Sequence, residues 1–320
     1  MSDNTTIFRQ AQVDSMPPGL SRLRKIAAKV LRLPLFNKLM PFARKVNAVA
    51  EPPGWMHLHR PIIKPPHQEC RPITILSANL WHDFPRHRDM LERLEAFSSL
   101  VESLDVDILL LQEVARTNWL LVDRWLAEKL DMTAVYTRAN GHNTAIGFEE
   151  GLAVLSRFPL VNHHLRQLST QCNPFVRRMA LGVEILSPCG ILLAFSVHLG
   201  LPSSQNARQI HRLRQWVNET AGVKTALVGG DFNVHETAPR IQPMRTSWLD
   251  TFRHLHPHSD GTTHTLRLPW GKLLKKHRLD YIFMRSGSTP WKVLETLHLQ
   301  TAGILHSDHH AVLTRLEPAG

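Results

Sequence analysis

The feature that most constrains this chain is a series of short apolar runs that stop on an amide, a carboxylate or an imidazole. ITILSAN ends at Asn79, DILLLQE at Gln112-Glu113 and ILLAFSVH at His198, while TALVGG runs into Asp231-Phe232-Asn233. Asp280 opens DYIFM, and Ser307-Asp308-His309 leads into AVLTRL. Runs of this length, bounded by turn signals, read as buried strands. A carboxylate at the end of a buried strand costs several kcal/mol unless it is paired or metal-bound. Several of them in one chain therefore point to one convergent site.

The other apolar segments read as strands over residues 134–137, 151–156, 162–168, 179–186, 293–299 and 311–316. Ser187-Pro188-Cys189-Gly190 is a turn signal that joins 179–186 to 191–198 as a hairpin. Helices are expected over 87–103, 119–130 and 203–219, the last capped by Ser203 or Ser204. Strands outnumber helices and end in polar residues, the pattern of a sheet-based enzyme with its site at strand ends. With 320 residues, 43% hydrophobic and 20% charged, the chain can bury a sizeable core and has neither a disordered nor a collagen-like composition. No apolar run reaches the roughly 18 residues of a spanning helix.

Cys70, Cys172 and Cys189 are odd in number and lack metal-type spacing, so neither a disulfide framework nor a zinc knuckle is signalled. A reducing compartment is expected on that ground. The polar, acid-containing N-terminus lacks the pattern of a secretory signal. The expected location is cytoplasmic, with peripheral attachment to the inner face of a membrane as a second setting.

Much of the net charge of +11 sits at one end, since residues 1–69 carry 11 Lys and Arg against 4 Asp and Glu. From Ser21 the spacing is helical: Leu23, Ile26, Val30 and Leu33 share one side, and Arg22, Arg24, Lys25, Lys29 and Arg32 fill the other. Pro34 kinks or ends this helix, and a second apolar set continues to Val46. Three partners suit such a segment: the catalytic domain itself, an anionic membrane surface contacted through residues 21–46, and nucleic acid. Pro52, Pro53, Pro61, Pro65, Pro66 and Pro72 then mark an extended linker. The chain is thus divided into a basic helical segment with its linker over 1–69 and a catalytic domain over 70–320.

Oxygen donors like those at the strand ends suit magnesium or manganese, and the absence of Cys/His ligand spacing gives no case for zinc. In chain order, Asn79, Gln112-Glu113, GLAVLSRFPL, FSVHLG, GGDFNV, RLDYIF and SDHHAV resemble the motifs of the endonuclease/exonuclease/phosphatase superfamily, over about residues 70–318. The resemblance implies an α/β (α+β) fold of deoxyribonuclease-like type, a four-layer sandwich of two packed mixed β-sheets flanked by helices. It also implies a hydrolase of phosphoester bonds that depends on Mg2+ (or Mn2+). Glu113 would be the main metal ligand, with Asn79 and Asp308 completing or flanking the metal site. Asp231 would orient or deprotonate the attacking water, and Asn233 would hold it or the phosphate in line. Asp280 would pair with His309, fix its tautomer and favour its charged form near the phosphate. His198 would face the phosphate from the opposite side, as ligand or proton donor. An arginine is implied ahead of the strand that begins near Ala180, and Arg177 and Arg178 both qualify.

Duller readings stand beside these, for Gly-Gly-Asp is also good turn sequence. His254, His256, His258 and His264 read as members of a solvated loop with no metal. The presence of His198 points away from the abasic-site repair branch and toward the branches of deoxyribonucleases, sphingomyelinase-like phospholipases and inositol-phosphate phosphatases. A nuclease needs a basic groove, for which Arg208, Arg212, Arg214, Lys272, Lys275, Lys276 and Arg278 are candidates beside the two arginines. A phosphodiesterase acting on lipid would use the N-terminal segment to stay at the membrane. With no catalytic position substituted, a non-catalytic phosphate-binding module is disfavoured.

Overall fold

The computed structural model describes residues 6–9, 55–60, 69–169, 177–267 and 273–319. The amphipathic segment expected over 21–46 lies outside the described residues. The first of two large sheets runs β1 (Thr6–Arg9), β2 (Trp55–His59), β5 (Thr133–His142), β6 (Phe148–Ser156), β4 (Ile108–Thr117), β3 (Ile73–Asn79), β16 (Ala311–Pro318), β15 (Trp291–Leu299). The second runs β11 (Leu249–Asp250), β14 (Asp280–Arg285), β10 (Ala226–Asp231), β9 (Gly190–His198), β8 (Met179–Ser187), β7 (Leu160–Gln167). A separate hairpin is formed by β12 (His264–Arg267) and β13 (Leu273–His277). Each large sheet is mixed: β3 lies parallel to β4, and β9 to β10, among antiparallel neighbours.

Alternation along the strands decides the layers. Ile75, Leu110 and Val154 of the first sheet meet Leu181, Ala194, Leu227 and Ile282 of the second in a shared core. Their neighbours Leu76, Leu109, Leu111 and Ala153 point outward, toward Leu94, Phe97 and Val101 of α1 (Met90–Ser103) and Leu126 of α2 (Val122–Lys129). On the far side, Phe195, Val197 and Val228 meet Ile210, Leu213 and Val217 of a long helix that follows a single short turn, α3 (Asn143–Ile146), and is labelled α4 (Ser203–Ala221). Two further short helices, α5 (Gln242–Ser247) and α6 (Thr251–Leu255), complete the set. The result is the expected four-layer sandwich. Because the central strands are covered on both faces, they read in the sequence as unbroken apolar runs.

Three expectations are corrected. Trp55–His59, placed within the proline-marked linker, is strand β2, paired antiparallel with β5 and carrying Met56 at 1% exposure. The first sheet thus extends ahead of residue 70. Cys70 and Cys189 form a disulfide; since such bonds persist in oxidising surroundings, the ground for expecting a reducing compartment is withdrawn. Helix α4 begins at Ser203 itself, with Pro202 rather than a serine at the capping position. No helix among the described residues is long and apolar enough to cross a membrane.

Candidate active site

The parallel pairs set the site. Asn79, the last residue of β3, is the register partner of Gln112 midway along β4, which runs on past Glu113 to Thr117 where the sequence suggested an end, and His198 is the partner of Asp231 at the ends of β9 and β10. Asp231 is also aligned with Asp280, the first residue of β14. Gly229 allows the close approach of the sheets here, since a Cβ on it would lie 2.7 Å from Leu110 Cδ1 of the first sheet. Gly230, at φ +154°, serves its own sheet: a Cβ there would lie 1.9 Å from the carbonyl oxygen of its β9 register partner Val197. Beyond Leu111 the ladder with β6 is interrupted by a bulge, at which Glu113 takes a left-handed backbone (φ +53°). Bulges of this kind re-aim a side chain, and this one brings Glu113 to Asn79.

The first sheet's groups meet the second's at Asn79. Its Nδ2 donates to Glu113 Oε1 (3.2 Å) and lies 3.4 Å from Asp231 Oδ2, while its Oδ1 accepts the Trp81 N–H (2.9 Å). Asp231 Oδ1 accepts the Asn233 N–H (2.8 Å), and Oδ2 accepts from Asn233 Nδ2 (3.2 Å) and stands 3.5 Å from His198 Nε2. Asn233 itself has a left-handed backbone (φ +50°) and also donates to the Leu199 carbonyl (2.9 Å), so the strand end is closed on itself. Burial pushes the Asp231 carboxyl up to about 7, against the pull of the His309 charge and with the help of the Asp280 carboxylate. Burial, reinforced by the charges of Arg178 and His309, holds His198 well below the ordinary histidine value.

Asp280 and His309 are in contact, with Oδ2 2.8 Å from Nδ1. A carboxylate at that distance accepts the Nδ1–H hydrogen bond, which leaves Nε2 to face the site. Burial works against a charge on His309, but the Asp280 carboxylate outweighs it and raises the imidazole to about 10. Thr263 Oγ1 accepts the N–H groups of both Leu279 and Asp280 and fixes the start of β14.

Asp308 is exposed, and it groups with His264 and His309 as donors within 4.8 Å of one another; Asp231, Asp280 and His309 form a second such group. His264 is accordingly no solvated-loop residue: it belongs to β12, bridges to His309, and its ring centroid lies 4.6 Å from that of His309. Of the two arginines, Arg178 is close enough to act on the charge of His198 and of Glu150. Arg177 is buried, and its main-chain N–H donates to Asn140 Oδ1 (2.6 Å). Arg278 is corrected as a groove residue, because its buried guanidinium is held by Asp250 (2.8 and 2.6 Å) and Glu236 (3.1 Å). Lys275 and Lys276 are exposed on β13.

Two site residues escaped the sequence reading. Glu150 is buried on β6, bonded to Asn140 Nδ2, with its carboxyl raised by burial and by the Glu113 charge. Its signal was present as the last acid before GLAVLS. His82 places Nε2 3.5 Å from Glu113 Oε2, a neighbour set only by the loop after β3.

Glu113 fits a hard cation. It is a carboxylate with 20% of its side chain exposed, and among the described residues its ion-pair partner is His82, with no Lys or Arg within reach. Its remaining contacts are long, from Asn79 Nδ2 at 3.2 Å and the His82 N–H at 3.4 Å. Spare oxygen lone pairs beside a carboxamide are the donors that magnesium and manganese prefer.

Two mixed sheets packed face to face, with carboxylates and imidazoles gathered at one edge, define a phosphoesterase fold. The sequence model of the Endonuclease/Exonuclease/phosphatase family matches residues 76–309, and the chain belongs to that family, whose members are generally hydrolytic phosphoesterases. Solved structures agree in fold. A family protein from Leptotrichia buccalis is 18% identical with a TM-score of 0.63, covering 77% of this chain and 99% of that one. One from Bacteroides vulgatus is 18% identical at 0.62, over 78% and 100%. TDP2 from D. rerio, complexed with single strand DNA product, is 14% identical at 0.61, over 77% and 99%. No curated protein matches the chain.

Proposed function

We propose that this chain is a divalent-cation-assisted phosphodiesterase acting on nucleic acid. The observation that carries the reading is the Asp231 carboxyl, buried between Asn79 of one sheet and the Asp280–His309 pair of the other and raised to about 7. A group that changes protonation near neutrality, fixed beside an imidazole held charged at neutral pH, is suited to proton transfer next to an anion.

In this reading Asp231 takes the proton of the attacking water, and Asn233 keeps that carboxylate aimed through two hydrogen bonds. His309, its Nδ1 committed to Asp280, offers a charged Nε2–H to a phosphoryl oxygen. His198, held neutral by burial, serves as phosphate ligand on the other side, with Arg178 adding charge. Glu113 and Asn79 would hold magnesium or manganese, and Asp308 would approach from the β16 side. The cation supplies a Lewis acid for the phosphoryl oxygen when bound.

Nucleic acid is favoured because the same fold in TDP2 from D. rerio is seen with a single-stranded DNA product and because the chain carries a net +11. A second reading, a phospholipid phosphodiesterase at a membrane, draws on Leu201 and Leu305, which are 69% and 53% exposed beside the His198 and Asp308 motifs. Hydrolysis of plasmid, single-stranded DNA, RNA, sphingomyelin and inositol phosphates, with and without magnesium, tests the proposal. Turnover of nucleic acid only with the cation supports it. Turnover of sphingomyelin or inositol phosphates alone replaces it with the corresponding branch.

A further inference from the structure

The loop between β3 and α1 is tied down by its own side chains. Trp81, Asp83, His87 and Asp89 all take left-handed backbone, at φ 47°, 45°, 48° and 52°. Short contacts fix it: His82 Nδ1 accepts the Phe84 N–H (3.0 Å), His87 Nδ1 donates to the His82 carbonyl (2.7 Å), and Arg88 grips the Asp83 carboxylate (2.7 and 3.1 Å). This coil lays Phe84 flat on Phe148, with centroids 4.2 Å apart and planes at 23°, yet leaves Phe84 47% exposed. Phe148 is buried in the core of the first sheet, so one face of the Phe84 ring is anchored. The rings of His82 and His87 meet the same Phe148 at 5.0 and 5.5 Å. Because His82 Nδ1 accepts the Phe84 N–H, the ring's own hydrogen sits on Nε2, the atom that faces Glu113 at 3.5 Å.

We propose that the outward face of Phe84 is a stacking platform for a nucleobase adjoining the scissile phosphate, and that the occupant is single-stranded nucleic acid. The proposal rests on the phosphodiesterase reading above and names its substrate subsite. An aromatic face held rigid in water binds any base without hydrogen bonds, and a loop already pinned loses little freedom on binding. The surroundings favour a base over an acyl chain: the His87 imidazole lies 5.7 Å from the Phe84 ring, His82 packs on the same Phe148 that carries it, and the exposed Arg86 follows two residues on, polar groups that suit the phosphates on either side of a base. A duplex keeps its base faces stacked inside, whereas a single strand offers them.

The test is equilibrium binding of a fluorescein-labelled oligothymidylate to the full chain in chelator, where no turnover intervenes, beside an abasic oligonucleotide of equal length. Phe84→Ala should bind the oligothymidylate about 5- to 150-fold more weakly, the range expected for one stacked base, and the abasic strand unchanged. Phe84→Trp should bind as tightly as the parent. Equal affinity of Phe84→Ala and parent for oligothymidylate, or an equal loss on the abasic strand, overturns the platform. So does a loss confined to anionic phospholipid vesicles, which would make Phe84 a lipid contact. Failure of the catalytic reading is separately visible as absence of metal-dependent cleavage while base-dependent binding persists.

Discussion

Replacing Asp280 with Asn preserves side-chain size and removes the charge that faces His309. The two side chains are 3% and 9% exposed and lie 2.8 Å apart, so water screens the pair little. His309 is raised from an ordinary 6.5 to about 10, the carboxylate overcoming the opposing effect of burial. A histidine raised on folding contributes stability that is fully present below its unfolded value and is lost as pH climbs through the folded one. At about 1.4 kcal/mol per pH unit, the interval corresponds to roughly 5 kcal/mol, close to the ~3–5 kcal/mol that breaking a buried pair costs. Asp280→Asn should therefore lower the unfolding free energy by about 3–5 kcal/mol near pH 6 and by far less above pH 10. Urea denaturation in chelator at both pH values reads the difference. Hydrolysis by Asp280→Asn should fall roughly 100- to 10,000-fold near neutral pH, with His309→Asn similar and the double variant little worse. A stability loss of the same size at both pH values, or fully additive rate losses, would refute the idea that Asp280 sustains the charge on His309.

Chelation should abolish hydrolysis of any phosphoester, and full activity after exhaustive chelation would remove the cation from the mechanism. Glu113→Gln should raise the magnesium concentration needed for half-maximal rate by about tenfold or more, whereas Asp231→Asn should lower the rate at unchanged magnesium requirement; matching titrations for the two would count against their division of labour. Deleting residues 1–69 strips β2 from β5 and loses Met56, so the truncated chain should be less stable by about 2–5 kcal/mol, and an unchanged thermal melt by circular dichroism would show that β2 contributes nothing. Arg278→Ala leaves Asp250 and Glu236 without their buried partner and should cost about 3–5 kcal/mol in urea unfolding; a neutral effect would mean that the two acids do not depend on that guanidinium.

What the sequence disclosed follows from which interactions are local. Strands β3, β4, β9, β10 and β14 are buried on both faces, so each is an apolar run, and the groups at their ends stand out by contrast. Parallel pairing sets Asn79 beside Gln112-Glu113 and His198 beside Asp231, the antiparallel β10–β14 register adds Asp280 opposite Asp231, and each of these groups breaks an apolar run, so they could be nominated together with His309. Strand β2 escaped because its flanking prolines dominate its five residues. The β12–β13 hairpin reads as a basic loop since Lys275 and Lys276 point to water, and the pairing that draws His264 to His309 is tertiary. Arg278 looked like groove charge because Asp250 and Glu236, which bury it, arrive from two other segments. Nothing local marks the left-handed turn of Glu113, which the interrupted β4–β6 ladder imposes. The cysteine pair is separated by 119 residues, so only the assembled sandwich makes partners of Cys70 and Cys189.

That disulfide sits where its mechanical effect is greatest. Cys70 stands just ahead of β3 and Cys189 in the turn between β8 and β9, so the bond rivets one sheet to the other at the end remote from Asn79 and His198. The working edge is divided between two jaws: Asn79 and Glu113 ride on the first sheet, and His198, Asp231 and Asp280 on the second. With that end covalently closed the sheets cannot part there, and the close-packed apolar filling between them resists both sliding and opening. A displacement of about 1 Å between reacting groups can cost about 100-fold in rate. Alignment across the mouth is thus set partly by a bond at the opposite pole of the molecule, one that touches none of the groups it keeps in line.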